Sequence, residues 1–195
     1  ITDANLQALN GLEFTGVIPD SLVLLATATA SSSSTLAFAS GIDSTYDLYE
    51  FHLINLHPQT NSVNLEFQVN AAGASGFNES IVSTYIDTYH AEASSSSGSH
   101  DYNGARDQVG TAYQQLIYEV GSDADQSCSG VLKLYAPSDT TYVKHFVTEV
   151  NGTYQGDYTM NAKAAGYIST ATAVDEISFK FSSGNIDAGI IKMYG

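Results

Sequence analysis

Basic residues are scarce in this sequence. Of its 195 residues, six are Lys or Arg and 21 are Asp or Glu, so the formal net charge is −15. The first basic residue is Arg106, and residues 1–105 carry none. An acidic surface repels the phosphates of nucleic acids and of anionic lipid headgroups. We therefore expect neither nucleic acid nor membrane insertion among the partners.

Cysteine and long hydrophobic runs are also rare. Cys128 is the single cysteine, so an intramolecular disulfide is excluded; a buried structural thiol is favoured over an intermolecular bridge. No stretch reaches the roughly 20 apolar residues of a membrane span. Residues 22–30 resemble the core of a signal peptide, but no basic residue precedes them, and we interpret them as a strand. A sequence that begins with Ile1 is compatible with a processed product or a segment of a longer polypeptide.

Hydrophobic residues make up 43% of the chain, with 13 Tyr, eight Phe and no Trp, which is enough for a sizeable core. The aromatic content favours strands over helices. Charged residues reach only 14%, against about 25% in typical soluble domains. The composition predicts one β-rich domain whose surface is covered largely by Ser, Thr, Asn and Gly.

Strand patterns recur along the chain. Residues 63–69 alternate strictly between apolar and polar side chains, which predicts a strand with one buried face. Ile177, Phe179 and Phe181 alternate in the same way, and turn-forming residues 182–185 separate them from the apolar run 190–194. We interpret this last stretch as a β-hairpin. Strands are also predicted at 142–150, with His145 packed inside beside Val143 and Val147, and at 154–160.

Ten to twelve short strands follow one another with turn signals every eight to twelve residues. This spacing predicts an all-β fold, and we favour a jelly-roll-like antiparallel β-sandwich for residues 22–195 as a single domain. Residues 1–21 contain Leu6, Leu9, Leu12 and Phe14 after a potential N-cap at Asp3. We interpret them as an N-terminal arm or connector that docks on a neighbouring subunit.

Several blocks of the sequence resemble, in order, a family of bacteriophage virion structural proteins that is common in phages of marine bacteria. The most specific block is FSSGNIDAGIIKMYG at residues 181–195. The other blocks are YDLYEFHLINLHP at 46–58, VNLEFQV at 63–69, GASG at 73–76, GTAY at 110–113, GVLKLYAP at 130–137 and YVKHF at 142–146.

The resemblance implies a location at the surface of the virion, as a tail-fibre or capsid-surface module. It also implies other virion proteins as partners and a homo-oligomer, with a trimer favoured. A carbohydrate-binding module of a secreted protein is the alternative function, and a glycan hydrolase, which would need two suitably spaced carboxylates, is the third. We expect no enzymatic activity.

Binding is expected around the Ser-rich stretch 91–107, which is interpreted as a surface loop, because binding residues are often carried on loops. Aromatic rings beside polar side chains would suit a host-surface glycan, although ordinary packing of tyrosines is the alternative. The candidate ligand-binding residues are Tyr85, Tyr89, His90, His100, Asp101 and Tyr102.

Catalytic and metal-binding motifs are not recognised. Ser99, His100 and Asp101 are consecutive, and neighbours on an extended chain point to opposite faces, so they cannot converge as a triad. Asp123 and Asp125 could offer oxygens to Ca²⁺, but the remaining ligands of an EF-hand loop are missing, and a solvated turn is favoured. We expect no cofactor and no metal site; bound Ca²⁺ has no motif to support it.

Overall fold

The computed structural model describes residues 22–93 and 98–195, and this part of the chain is almost entirely β-structure. The predicted all-β class is confirmed; the proposed arm, residues 1–21, lies outside the described residues. The strands are β1 Leu24–Thr29, β2 Leu36–Phe38, β3 Leu48–Pro58, β4 Val63–Ala71, β5 Ile81–Ala91, β6 Gly98–Tyr102, β7 Val109–Gly110, β8 Gln114–Val120, β9 Cys128–Tyr135, β10 Lys144–Tyr154, β11 Tyr158–Ile168, β12 Val174–Phe181 and β13 Ile186–Tyr194. One turn of 3₁₀ helix covers Gly104–Arg106.

The strands form two layers in which neighbours are antiparallel. The smaller sheet has the order β8-β4-β12-β2. The larger sheet has the order β1-β13-β3-β9-β10-β11-β5, with β6 and β7 both paired to β5. Tyr154 of β10 pairs with Val120 of β8, and this bridge joins the two sheets at one corner.

The order of the strands is that of a jelly roll. From β2 to β5, and again from β7 to β9, the chain changes sheet at every connection. The hairpin β10–β11 is inserted between β9 and β5, and β13 and β1 extend the other side of the larger sheet. The predicted jelly-roll-like sandwich is therefore confirmed, with a widened second sheet.

Aromatic side chains from both sheets fill the space between the layers. The ring of Phe179 lies 5.7 Å from that of Phe51 and 6.5 Å from that of Phe67, and Phe67 contacts Phe146 edge-on at 5.1 Å. All four side chains are at most 1% exposed. Burying each of them stabilises the fold by about 1.5–3 kcal/mol, which makes this cluster the centre of the core.

Two sequence-based interpretations of pairing are wrong. The strands β12 and β13 do not form a hairpin: β12 pairs with β4 and β2, whereas β13 pairs with β1 and β3. A strand was expected at 154–160, but Gln155, Gly156 and Asp157 form the turn between β10 and β11. The turn residues correctly predicted where one strand ends and the next begins. They did not predict which strands pair, because local turn chemistry does not specify pairing.

The expected loop at 91–107 also differs from prediction. It contains the strand Gly98–Tyr102, which pairs with β5 at the edge of the larger sheet, followed by the 3₁₀ turn.

His145 was expected to pack inside but is exposed, together with Val143 and Val147. The reason is that Lys144 and Phe146 take the inward positions at the start of β10. In the described part of the chain, no helix is long and apolar enough to cross a membrane.

Candidate functional site

A cleft lined by tyrosines opens where the larger sheet extends past the edge strand of the smaller one. It has a volume of about 350 Å³. We call it the tyrosine basin, and it is lined by Tyr89, Tyr118, Tyr154, Tyr158 and Met160. Four of the chain's 13 tyrosines therefore meet in one place, although they are far apart in the sequence.

Strand register brings these tyrosines together. Tyr154 and Tyr158 are paired across the turn between β10 and β11, and Met160 is paired with Tyr89 of the neighbouring β5. Tyr118 comes from β8 of the opposite sheet, close to the bridge at Val120. The basin thus depends on the inserted hairpin β10–β11, without which Tyr154 and Tyr158 would not face β8.

The rings hold each other in edge-to-face contacts. Tyr158 stands at 71° to Tyr89 and at 81° to Tyr154, with ring centres 5.9 and 5.7 Å apart. Tyr154 and Tyr118 meet at 83° and 6.3 Å. Such contacts add about 0.5–1.5 kcal/mol each beyond burial. They also fix the orientation of rings that remain only partly buried, so the basin is largely formed in advance.

A buried carboxylate supports one wall of the basin. Asp87 is 2% exposed and accepts hydrogen bonds from the Tyr118 hydroxyl at 3.2 Å and from Asn103 Nδ2 at 3.1 Å. Burial, together with the nearby charge of Asp87, raises the pKa of Tyr118 to about 12. The Tyr118 hydroxyl is therefore a neutral donor at physiological pH.

A cation stacks on the ring of the same tyrosine. The guanidinium carbon of Arg106 lies 4.1 Å from the centre of the Tyr118 ring, and its Nη1 donates a hydrogen bond to Gln115 Oε1 at 2.8 Å. The guanidinium thus packs on one face of the Tyr118 ring, while the hydroxyl at the tip of the ring is held by Asp87. The neighbouring Tyr154 of the basin also has a raised pKa. The larger cause is its hydrogen bond with Glu119, and the smaller is burial.

Tyr85 lies behind the basin on β5, with its ring centre 6.5 Å from that of Tyr118. It is fully buried, and its hydroxyl has no hydrogen-bond partner among the described residues. Burial is the main cause that raises its pKa. An orphaned buried hydroxyl costs about 1–3 kcal/mol, a cost that a small polar molecule reaching it would relieve.

The structure separates the six predicted site residues. Tyr85 and Tyr89 point to the inner side of the larger sheet, and Tyr89 lines the basin. His90 and His100 lie on the outer side of that sheet. Asp101 and Tyr102 lie beside His100 on the edge strand Gly98–Tyr102. The hydroxyl of Tyr102, a residue that is 67% exposed, donates a hydrogen bond to Asp107. Asp101 is exposed and accepts a hydrogen bond from Ser99 Oγ.

Sequence reasoning missed four residues that shape the site: Asp87, Arg106, Tyr154 and Tyr158. The alternation of Tyr85, Asp87 and Tyr89 on one strand was a usable signal, because side chains two apart share a face. The two tyrosines of the hairpin gave no such signal, since their approach to β5 depends on long-range pairing.

Residues 22–93 and 98–195 do not bring the possible catalytic or metal-binding side chains together. Ser99 Oγ donates a hydrogen bond to Asp101, and His100 points to the other face of the strand, so the three do not form a triad. No group of three or more His, Cys, Asp or Glu side chains within these ranges is arranged to hold a metal ion. Asp123 and Asp125 are exposed in a turn.

Comparisons of this chain with protein-family models, with curated proteins and with solved structures found no match.

Proposed function

We propose that this chain is a structural module on the surface of a bacteriophage particle and that it contacts host-surface glycans through the tyrosine basin. The ordered sequence blocks at residues 46–58, 63–69, 73–76, 110–113, 130–137, 142–146 and 181–195 support the virion assignment by resemblance. A jelly roll is compatible with it, since this architecture recurs in capsid proteins and in lectins. Its partners would be other virion proteins and further copies of the chain.

The basin is the observation that carries the glycan proposal. Sugars present apolar C–H faces, which stack on aromatic rings, and hydroxyls, which need hydrogen-bond partners. The basin offers Tyr89, Tyr154 and Tyr158 as ring surfaces, with phenolic hydroxyls at their tips. Its volume of about 350 Å³ falls in the usual range of small-molecule sites, about 300–1,000 Å³.

The charges around the basin favour a neutral sugar. Asp87 stands behind Tyr118, Glu119 bonds Tyr154, and the whole chain carries −15. The single Arg106 is already occupied by Tyr118 and Gln115. A sialic acid or uronic acid would therefore meet repulsion that an uncharged hexose would not.

The proposal is tested by screening immobilised glycans with the full chain and then measuring affinity for any hit by saturation-transfer NMR. Tyr89→Ala and Tyr158→Ala should each weaken binding at least about tenfold, because an aromatic anchor is worth about 2 kcal/mol or more at a hot spot. Tyr142→Ala is the matched control, since Tyr142 is 71% exposed and lies outside the basin. Equal affinity in all three variants would contradict the basin as the site.

The carbohydrate-binding module of a secreted protein remains the second candidate, and the same basin favours it. The two functions differ in where the chain is found. Mass spectrometry of purified particles should detect the chain in stoichiometric amount if it is a virion protein. Its absence from particles, combined with sugar binding by the isolated chain, would favour the secreted module. In either case we propose binding without catalysis.

A further inference from the structure

Exposed hydrophobic side chains concentrate on one surface of the molecule. Among the described residues, ten large hydrophobic side chains are exposed, and eight of them lie on the outer surface of the larger sheet or at its margin. Scattered single residues of this kind are ordinary, but a concentration on one sheet marks an interaction surface. The eight are Ile54, Ile86, Tyr102, Val109, Tyr135, Tyr142, Val143 and Val147.

Strand register makes this surface continuous. Val147 of β10 lies between Lys133 of β9 and Ala165 of β11. One step along, Lys163 of β11 lies between Glu149 of β10 and Ile86 of β5. These side chains line a shallow depression of about 360 Å³ whose surface is mostly aliphatic. We call the outward-facing side chains of β13, β3, β9, β10, β11, β5 and β6 the outer face.

The outer face differs from the rest of the chain in charge. Its strands direct Lys133, Lys163 and Lys192 outward against three acids, Glu50, Glu149 and Asp187, so that its charges balance. Because the chain as a whole carries −15, all of this net negative charge lies outside the outer face. Two of the lysines are neutralised within the face, Lys133 by Glu50 at 2.8 Å and Lys163 by Glu149 at 3.1 Å.

This distribution of charge indicates that the partner of the outer face is a second copy of the chain. Contact through any other surface would bring many carboxylates of one copy against the carboxylates of the other. Two outer faces can meet without that repulsion, and each then covers the hydrophobic side chains of the other. We propose that the outer face is the surface through which two copies of this chain pack against each other, sheet on sheet, about a twofold axis.

The size of the outer face fits this role. Seven neighbouring strands spaced about 4.8 Å apart, with about six residues each at about 3.3 Å per residue, present on the order of 600 Å² in projection. Side-chain relief increases the accessible area towards the roughly 800 Å² per partner of a stable interface. Because the same residues face each other, this contact closes with two copies, rather than the three favoured from the sequence.

The first test measures the mass of the full chain by light scattering over a range of concentrations. We expect a dimer that dissociates on dilution. Val147→Glu places two like charges near the centre of the contact and should raise the dissociation constant at least about tenfold. Ala37→Glu adds the same charge at an exposed strand position of the smaller sheet and should leave the dimer unchanged. Circular dichroism checks that both variants keep the native β-structure.

A second test uses lysine acetylation, read by mass spectrometry. Lys133 and Lys163 should become protected as protein concentration rises, while Lys180, on the smaller sheet beside Tyr113, should label equally at all concentrations. A monomer at every concentration, or a dimer that survives Val147→Glu, would overturn the proposal. So would lysines protected equally at all dilutions, since another segment of the same chain, such as residues 1–21, would then be the occupant.

Discussion

The guanidinium carbon of Arg106 lies 4.1 Å from the centre of the Tyr118 ring, while the hydroxyl of that tyrosine donates to Asp87. A buried carboxylate and a stacked cation thus act on one phenol with opposite effects. The carboxylate disfavours ionisation of the phenol and the cation favours it. Because burial and Asp87 prevail, the pKa of Tyr118 rises to about 12.

Replacing Asp87 tests this balance. Asp87→Asn removes the negative charge, so the pKa of Tyr118 should fall from about 12 towards its ordinary value of 10.0. The measurement is an NMR titration of ring-labelled tyrosine, with Tyr118→Phe to identify the resonance. Asp101→Asn, at an exposed edge position, should leave the titration unchanged. An unaltered Tyr118 titration in Asp87→Asn would show that the carboxylate does not govern this phenol.

The raised pKa of Tyr118 also predicts a loss of stability in alkali. In the unfolded chain this tyrosine ionises near 10.0, and in the folded chain it ionises near 12. The folded state therefore holds its proton more tightly, and the stabilisation present below pH 10 should be lost as pH rises through about 12. Urea unfolding at pH 9, 10 and 11 measures how steeply the free energy of unfolding falls with pH. Tyr118→Phe should make this decrease shallower. An identical slope in both proteins would refute the assignment.

Gly166 on β11 should not tolerate a side chain. A Cβ there would lie 2.2 Å from the carbonyl oxygen of Val82 and 2.8 Å from the Cα of Ser83, both on the paired strand β5. Backbone cannot yield as a flexible side chain can, so Gly166→Ala should destabilise the fold by about 1–3 kcal/mol or more.

Gly156 provides the control for Gly166, because a Cβ at that turn position meets nothing closer than 3.4 Å. Gly156→Ala should change the free energy of unfolding by less than about 0.5 kcal/mol. Urea titrations of the two variants side by side make the comparison. Equal stabilities would mean that β5 and β11 approach less closely than described.

Phe179 is the residue whose truncation should cost most in the core. It contacts Phe51 of the larger sheet and Phe67 of its own sheet, so Phe179→Ala would leave a cavity between the layers. The expected loss is about 3–5 kcal/mol in the free energy of unfolding. Tyr142→Ala, at a position 71% exposed, should stay within about 0.5 kcal/mol of the parent. A loss below about 1 kcal/mol for Phe179→Ala would argue against this core.

The thiol of Cys128 should be unreactive in the folded protein. It is 1% exposed, its Sγ faces the carbonyl of Leu56 at 3.6 Å, and burial raises its pKa to about 12. Only the thiolate reacts with disulfide reagents, so an aromatic disulfide reagent at pH 8 should label Cys128 only after denaturation. Rapid labelling of the native chain would contradict this burial, and would restore the intermolecular bridge as an alternative.

The sequence predicts individual strands well where one face is buried. Residues 63–69 show this most clearly, because all four apolar side chains are buried in the core. On the opposite face the prediction holds only in part: Gln68 is also buried, because its Nε2 donates hydrogen bonds to the carbonyls of Glu79, Thr111 and Ala112. Pairing was less predictable. The turn after Phe181 has the chemistry of a hairpin, yet it carries the chain from one sheet to the other, and both outcomes need the same Gly and Asn.

The site was predictable in part. Tyr89 was identified, but His90 was grouped with it although adjacent residues of a strand face opposite sides. His100, Asp101 and Tyr102 were added to this group because residues 91–107 were interpreted as a loop. In the strand Gly98–Tyr102 their side chains instead alternate between two faces. The partners of Tyr89 across the basin come from β8, β10 and β11, and no local sequence pattern predicts contacts between strands so far apart in the chain.

The pairing of β1 with β13 determines when the larger sheet can form. Leu24–Thr29 has β13 as its neighbour in that sheet, and β13 itself lies between β1 and β3. During synthesis, therefore, β1 cannot pair with its neighbour in the sheet until Ile186–Tyr194 has left the ribosome. Contacts so distant in sequence are slow to form because a long loop must close first. We conclude that the larger sheet cannot be completed before Ile186–Tyr194 has been synthesised, whereas the hairpin β10–β11 can pair earlier.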